Sequence, residues 1–378
     1  MFSIDLTYLC RHNIENTAGF NYMNRRYYCM FIVLFFAVLT QAAAAERTFN
    51  ILFIQSYTSQ TPWHSDLNQG LAKGFKESGL KVNITTEYLD ADFWAFNSEK
   101  VIMRRFCQRA RDRQTDLIVT ASDEAFYTLF ACGDSLPLQI PVVFFGIKYP
   151  DTKLITAHPN VCGFTANPDF DVILRQAQKI FPRRKEVVCV IDNSFLGVFR
   201  KPMPYKEDNI HEDFEEEWKI FQKDNPDYRM KIYNTQNHTT SHIIAAICYP
   251  RNSYERLVVA PKWSPFLSFV GKNSKAPVFS TQNVGLTNGV FSAYDADSYT
   301  SASLAAQRAA SVLKGTSPRD IGVTEITQGF IFDYKQLDFF HIDPDKVSSS
   351  GTIVNEPYWE KYKYLFILFL GVFSNSLG

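Results

Sequence analysis

"ILFIQSYTSQTPWHSDLNQGLAKGF", residues 51–75, holds a short apolar run, a polar loop and an amphipathic segment in succession. The apolar run stops at Ser56 and is typical of a strand covered on both faces. Beyond the loop, Leu67, Leu71 and Phe75 recur every four residues and would share one face of a helix. The stretch therefore predicts a strand, a loop rich in hydroxyl and aromatic side chains, and a helix, which is the repeating unit of an α/β protein.

The same unit recurs along the chain from residue 48 to about residue 355. Further strands are predicted at 81–90, 116–120, 140–146, 186–192, 228–234, 255–261 and 276–281. Helix starts are predicted at Thr61-Pro62, at Ser98 and at Asn167-Pro168, because these residues suit an N-cap and a first helical turn. Strands that alternate with helices predict a mostly parallel sheet. The plan occurs once before about residue 165 and once after it, so the sequence predicts two α/β lobes.

Polar and aromatic side chains follow several of the predicted strands. In an open parallel sheet, ligands bind beyond the carboxyl ends of the strands, so these side chains would meet in one cleft. The predicted ligand-binding residues are Ser56, Tyr57, Trp63, Ser122, Asp123, Phe145, Asp192, Asn193, Trp263 and Thr281. Structural alternatives stay open for some of them: Ser122 and Asp123 as helix caps, Asp192 and Asn193 as turn residues, and Trp63 as part of a lobe core.

Composition and motifs exclude several classes of function. The 39 basic and 39 acidic residues give no net charge, so nothing indicates a nucleic-acid partner. No nucleophile elbow, phosphate loop, dinucleotide fingerprint or zinc-protease motif occurs, so we expect no catalytic residues and no cofactor. His238 and His242 could share a helical face, but two histidines without a third ligand are weak support for a metal site. The seven cysteines contain no CxxC pair and are interpreted as small buried hydrophobic residues.

Both ends of the chain carry apolar segments. Residues 23–45 place two arginines before a short apolar core and a run of alanines, which predicts a signal peptide cleaved near Glu46 or a first membrane anchor. Residues 1–22 are interpreted as a tail or a mis-assigned start. In residues 357–378, aromatic and basic residues lead into an apolar run of about ten residues, which predicts a juxtamembrane segment and a truncated membrane helix. An apolar tail packed on the domain is the alternative.

Several motifs resemble those of a known family. "FIQSYTSQTPWHSDLNQGLAKGF", "DLIVTASDEAF", "IPVVFFGI", "VCGFT" and "VFSAYDADSYTSASLAAQRAASVLKG" are similar to the ABC transporter substrate-binding-protein-like family. The "SY…PW" start and the ending from "GFIFDYKQLDFF" to "EPYWEKYKYLFILFL" resemble more narrowly the extracytoplasmic sensor domains of membrane histidine kinases. The resemblance covers about residues 48–365.

The resemblance implies a type 1 periplasmic-binding fold with a small molecule held between two lobes and no catalysis in this region. The expected boundaries are 46–165 with part of about 284–318 for the first lobe, and 166–283 with part of about 319–356 for the second. It implies an exported sensor on the outer face of the inner membrane, acting on a histidine-kinase output that lies outside this chain, and it leaves a homodimer open. A free periplasmic substrate-binding protein of a transporter is the second hypothesis, and an α/β hydrolase or other enzyme is the third.

Overall fold

A computed structural model describes residues 47–61, 63–91, 96–148, 150–167, 169–191, 210–234, 256–260, 271–283, 286 and 288–362. The chain divides into two units, Met1–Thr48 and Phe49–Gly378, and the features described below belong to the second. The predicted tail and the predicted signal peptide or anchor lie outside the described residues.

The first sheet has six strands in the order β11-β5-β4-β3-β1-β2. Its strands are β1 Thr48–Gln55, β2 Lys81–Tyr88, β3 Leu117–Ala121, β4 Val142–Ile147, β5 Val161–Thr165 and β11 Val323–Glu325. The pairs β1–β3, β3–β4, β4–β5 and β5–β11 are all parallel. The other five strands come from the first half of the chain, and β11, which joins last in sequence, forms one edge of the sheet.

The second sheet has seven strands in the order β13-β12-β10-β9-β8-β6-β7. Its strands are β6 Glu186–Ile191, β7 Arg229–Asn234, β8 Arg256–Ala260, β9 Val278–Ser280, β10 Ser292–Asp295, β12 Gly329–Asp333 and β13 Gly351–Val354. Strands β6 to β10 are parallel to their neighbours, whereas β12 runs antiparallel to β10. Two mostly parallel sheets match the predicted α/β class with two lobes.

Twelve helices are described between and after the strands. They are α1 His64–Ser78, α2 Phe96–Asp112, α3 Asp123–Ala131, α4 Leu136–Gln139, α5 Thr152–Ala157, α6 Phe170–Ile180, α7 Ile210–Asp224, α8 Ser298–Leu313, α9 Pro318–Ile321, α10 Tyr334–Phe339, α11 Asp345–Ser348 and α12 Tyr358–Lys361. Helices α2 and α3 cover one face of the first sheet, and α1 and α8 cover the other.

Apolar strand residues are buried on both faces of each sheet. In β1, Leu52 and Ile54 pack toward α2 and α3, whereas Ile51 and Phe53 pack toward α1 and α8. Successive side chains of a strand point to opposite faces, so a continuous apolar run is what a sheet covered on both sides requires. This is the physical reason that the run at residues 51–54 shows no alternation.

The chain passes between the sheets at three places. It leaves the first sheet after β5, returns to it between β10 and α8, and leaves it again between β11 and β12. Residues Ala166, Ala296 and Ile326, one from each passage, form a small buried cluster of their own. Ala166 donates its backbone N–H to Ile147, and Ile326 donates to Thr165. The three connections are therefore held side by side.

Three of the predicted helix starts were wrong in detail. Helix α2 begins at Phe96, so Ser98 lies inside the helix and does not cap it. The cap of α6 is Asp169, whose carboxylate accepts the Val172 N–H, and the cap is not Asn167. Helix α1 begins after Trp63, and the hydroxyl of Thr61 instead donates to the Thr58 carbonyl in the preceding turn. Short polar residues stabilise turns and caps by similar hydrogen bonds, which is why neighbouring candidates were confused.

Four cysteines are described, and all four are buried free thiols, in agreement with their interpretation as small buried residues: Cys107, Cys132, Cys162 and Cys189. Cys10, Cys29 and Cys248 lie outside the described residues, as do His238 and His242. Over the described part of the chain, no helix combines the length and the apolar character that a membrane crossing requires. The predicted membrane helix after Leu365 lies outside that part.

Helix α1 packs closely on helix α8 through two glycines of α1, Gly70 and Gly74. A Cβ atom added at Gly74 would lie 2.2 Å from the backbone oxygen of Ser303, and one at Gly70 would lie 2.2 Å from that of Tyr299. Replacing glycine with alanine stabilises a helix interior by about 1 kcal/mol. An overlap of this size, however, would force the two helices apart. The close approach joins an early and a late segment of the chain.

We expect Gly74→Ala to lower the free energy of unfolding by about 1–3 kcal/mol, because the overlap outweighs the gain in helix propensity. Gly329→Ala is the matched control, since no atom lies within 4 Å of its added Cβ. Urea unfolding followed by circular dichroism measures both. A Gly74→Ala protein as stable as the control would show that the two helices do not pack this closely.

Candidate functional site

A cavity of about 80 Å³ lies between the two lobes. Loops after β1, β3 and β4 of the first sheet form one side of it, and residues at the ends of β9 and β10 of the second sheet form the other. Its lining consists of Tyr57, Trp63, Leu67, Ala121, Ser122, Phe145, Gly146, Lys148, Ala166, Gln282, Asn283, Asp295, Ala296, Ser298 and Ser301. Ala166 and Ala296 belong to the cluster where the chain passes between the sheets, so the cavity lies directly beside the connections.

Four of the predicted ligand-binding residues line this cavity: Tyr57, Trp63, Ser122 and Phe145. The Tyr57 and Trp63 rings meet edge to face with centroids 5.8 Å apart. The Tyr57 hydroxyl donates to Glu124 Oε1 at 2.8 Å, which fixes the orientation of the ring. Trp63 also packs against the core of the first lobe, which is the structural alternative that the sequence left open. Its part in ligand binding stays a prediction.

Ser56 and Asp123 are buried beneath the cavity and are not among its lining residues. Ser56 Oγ donates to the Ala121 carbonyl at 2.8 Å and accepts the Ala125 N–H at 2.9 Å. Asp123 Oδ2 accepts the Lys148 backbone N–H at 3.0 Å. Both side chains thus hold together the strand ends that carry the lining residues.

Lys148 connects the two lobes across the cavity. Its Nζ donates to the Thr281 carbonyl and to Asp295 Oδ1, each at 2.8 Å. The Lys148 and Asp295 side chains are only 9% and 15% exposed, so this ion pair is largely withdrawn from water. Asp295 also accepts the backbone N–H groups of Asn283 and Ala296. The predicted residue Thr281 contributes its backbone carbonyl to this bridge, and it is not among the residues that line the cavity.

Two residues with left-handed backbone lie next to each other in the cavity wall. Ser122 has φ of 71° and Gly146 has φ of 70°. The conformation is natural for glycine, but it costs a serine of order 1 kcal/mol or more. Ser122 occupies the N-cap position of α3 without a capping bond from its side chain. Its hydroxyl is therefore not committed to capping.

Three predicted residues, Asp192, Asn193 and Trp263, lie outside the described residues. Their part in the site stays a prediction. His64, at the start of α1, contacts other side chains of the first lobe. Its ring is within hydrogen-bonding distance of the Asn68 amide and the Tyr88 hydroxyl, and it packs on the Tyr88 ring.

Sequence reasoning missed the ion pair and the hydroxyls of helix α8. Lys148 follows β4 in "FFGIKYP" and could have been found by the same strand-end rule that found Phe145. Asp295, Ser298 and Ser301 come from the late segment, whose position beside the first lobe depends on the chain passing back between the sheets. No local sequence pattern indicates that the chain passes back to the first lobe at this point.

The cavity combines aromatic faces with one compensated pair of charges. Tyr57, Trp63 and Phe145 supply apolar surface, whereas Ser122 and the side chains of Gln282 and Asn283 supply hydrogen-bonding groups. Among the described residues, no group of three potential metal ligands occurs. The arrangement is suited to hold a small molecule that has an apolar face and a polar edge.

A larger groove of about 500 Å³ lies on the first lobe alone, beside α5 and β11, and includes Thr152, His158, Arg319 and Val323. Volume alone would favour it. We favour the smaller cavity because it lies at the carboxyl ends of parallel strands of both sheets, whereas the groove lies at one sheet edge and receives residues from a single lobe.

Comparison with known proteins gives no matching family profile and no significant match among curated proteins. Solved structures do match. An ABC domain in complex with L-Trp from Streptococcus pneumoniae is 15% identical, with a TM-score of 0.62 over 82% of this chain and 100% of that one. A conserved domain protein from Vibrio cholerae is 15% identical, with a TM-score of 0.60 over 81% of this chain and 99% of that one.

A ligand-free, open substrate-binding protein with adhesive properties from Clostridium difficile is 14% identical, with a TM-score of 0.58 over 82% of this chain and 100% of that one. Together with the two sheets and their order, these likenesses confirm the predicted fold class: the chain has the α/β, two-lobed fold of type 1 periplasmic binding proteins. At sequence identities of 14–15%, these likenesses show a shared fold and nothing beyond it.

Replacement of Lys148 by methionine should destabilise the protein by about 1–3 kcal/mol. Breaking a buried ion pair costs about 3–5 kcal/mol, but Asp295 keeps two backbone donors here, which lowers the cost. Urea unfolding measures the loss, and a double-mutant cycle with Asp295→Asn should show coupling above about 0.5 kcal/mol.

Lys73→Met is the matched control, because Lys73 pairs with Glu77 on the surface of α1 with both side chains about half exposed. An equal and small effect of the two substitutions would contradict a structural role for the bridge across the cavity.

Proposed function

We propose that this protein is an extracytoplasmic receptor that holds one small molecule between its two lobes and transmits the bound state to a membrane-linked output. The observation that carries the proposal is the cavity between the sheets, whose wall takes residues from strand ends of both lobes and from the connections between them. A ligand placed there touches both lobes at once, so its binding is sensitive to how the lobes are arranged.

The size of the cavity indicates that the lobes change arrangement during binding. Cavities that enclose drug-sized ligands measure about 300–1,000 Å³. The present volume of about 80 Å³ is below this range. Separation of the lobes at the Lys148 bridge would enlarge the cavity for entry of a metabolite, and closure would retain the metabolite. Only a difference in affinity between the two arrangements shifts their populations.

The chemistry of the lining limits the ligand. The rings of Tyr57, Trp63 and Phe145 favour a flat or apolar face, since aromatic contacts are strongest between such surfaces. Lys148 and Asp295 can each form an ion pair with a charged ligand group once they part, so a molecule that carries both signs, or polar groups alone, suits the site. The likeness to an L-Trp complex makes L-Trp a reasonable first probe.

The signalling role rests on the segment that follows the second lobe. Tyr358 and Trp359 of α12 are 80% and 68% exposed, so the domain core does not use them. Basic residues and the apolar run Leu365–Phe373 follow in the sequence. Exposed aromatic and basic residues beside an apolar run are typical of a membrane interface. The alternative is a free substrate-binding protein that delivers the same class of ligand to a transporter.

Trp63→Ala should weaken binding at least tenfold while leaving the fold intact, because it removes one of the aromatic walls. Residues 46–356 would first be screened by thermal shift against L-Trp and a set of small metabolites. Calorimetry on the best ligand then compares wild type and variant. The control is Trp359→Ala, which removes an exposed tryptophan outside the cavity lining, and calorimetry of all three proteins uses the full chain. Unchanged affinity in Trp63→Ala would contradict the placement of the site.

Cell fractionation distinguishes the sensor from the delivery protein. The sensor predicts that the full chain is recovered with membranes, and that deletion of residues 363–378 weakens this association. Recovery of the full chain in the soluble exported fraction, with an N-terminus near Glu46, would support the delivery protein instead.

A further inference from the structure

We propose that Cys107 and Cys132 form an intramolecular disulfide bond that links helix α2 to the end of helix α3 when the protein meets a disulfide oxidant. The two thiols are 25 positions apart in sequence, but their side chains belong to one core cluster in the folded protein and each affects the pKa of the other. Both belong to the same core cluster of the first lobe and are almost fully buried.

Three side chains along one face of α2 fix this pairing. Arg104, Cys107 and Arg111 are spaced by three and four residues, so they line up along the helix. Arg104 donates to the Cys132 carbonyl at 2.8 Å, and Arg111 forms an ion pair with Asp134. Cys107 lies in the same core cluster as Cys132, whose thiol donates to the Leu129 carbonyl at 3.1 Å. The segment 132–134 is thus held against α2 by residues on either side of Cys107, which places Cys107 beside the segment that contains Cys132.

The two sulfurs have different acidities. Interaction with the Cys107 side chain lowers the pKa of the Cys132 thiol, although burial opposes this shift. Interaction with Cys132, together with burial, raises the pKa of the Cys107 thiol. Cys132 is therefore the sulfur that ionises first, and a thiolate is the attacking species in thiol–disulfide exchange.

The reaction balances with a small disulfide as oxidant. The Cys132 thiolate attacks one sulfur of oxidised glutathione, forms a mixed disulfide and releases one glutathione thiolate. Cys107, once deprotonated, attacks the Cys132 sulfur, forms the Cys107–Cys132 bond and releases the second glutathione thiolate. The two protons lost by the protein thiols go to the released thiolates, and the two electrons reduce the oxidant. Because both thiols are buried, the exchange takes place before α2 and α3 pack or during local opening.

The bond would fix the helix that carries the cavity wall. Helix α3 runs from the cavity, where Ser122 lines it, to Cys132 at its far end. A link between that end and α2 reduces the freedom of the unfolded chain and ties the two helices that cover this face of the first sheet. Disulfide bonds persist in exported proteins, and the proposed location therefore fits this chemistry.

Cys162 and Cys189 supply internal controls. Both are buried free thiols in central strands, and burial raises the pKa of Cys162 to about 12. Cys162 lies in β5 of the first sheet and Cys189 in β6 of the second, and each packs inside a hydrophobic core cluster. They should therefore stay reduced under conditions in which Cys107 and Cys132 become linked.

The test uses the purified full chain in mild detergent, refolded in a buffer of oxidised and reduced glutathione. After acid quenching, free thiols are alkylated under denaturing conditions, and peptides are mapped by mass spectrometry without reduction. The expected result is a linked pair of peptides that contain Cys107 and Cys132, with Cys162 and Cys189 alkylated. Alkylation of both Cys107 and Cys132, or linkage of either to another cysteine, would overturn the proposal.

A second measurement separates the bond from simple packing. Addition of a dithiol reductant should lower the melting temperature of the oxidised wild type by about 5 °C or more. The same reductant should leave the Cys107→Ala/Cys132→Ala protein unchanged, whereas Cys162→Ala should respond like the wild type. Equal responses of the wild type and the double variant would overturn the proposal. This outcome is independent of whether the cavity binds a ligand.

Discussion

Three passages of one chain between two sheets meet at a single small cluster, Ala166, Ala296 and Ile326, and the rest of the molecule depends on that meeting point. A single connection would leave two lobes that move freely. Three connections held side by side allow mainly a hinge motion, because each restricts the rotation of the others. The cavity lies directly at this point, since Ala166 and Ala296 are part of its wall. A rotation at the connections therefore changes the spacing between the two walls of the site.

The Lys148 bridge joins the two lobes beside these connections. An amine and a carboxylate that share a poorly hydrated gap attract each other strongly, but each has lost much of its hydration. A ligand that forms its own contacts with Lys148 and Asp295 compensates for the loss of their ion pair. The free-energy cost of separating the two side chains is then modest. The positive φ of Ser122, next to that of Gly146, places local backbone strain in the first-lobe wall, and strain of this kind is common at ligand-binding sites.

Much of the fold could be predicted from local patterns, and the reason is visible in particular elements. The apolar run of β1 and the four-residue spacing of Leu67, Leu71 and Phe75 report burial directly, because strand and helix periods are set by backbone geometry. Tyr57, Ser122 and Phe145 were found because carboxyl ends of parallel strands share an edge. Lys148 and Asp295 were missed as a pair because their contact spans 147 positions and depends on the return of the chain to the first lobe.

Backbone hydrogen exchange with and without a bound ligand tests most directly whether the ligand lies between the lobes. The account predicts that saturation with the best ligand from the thermal-shift screen slows exchange on both sides of the cavity. The protected residues should be 121–126 and 298–301 on the side of the first lobe and 281–283 and 295 on the side of the second. Protection confined to one lobe, or centred on the groove beside His158 and Arg319, would contradict it.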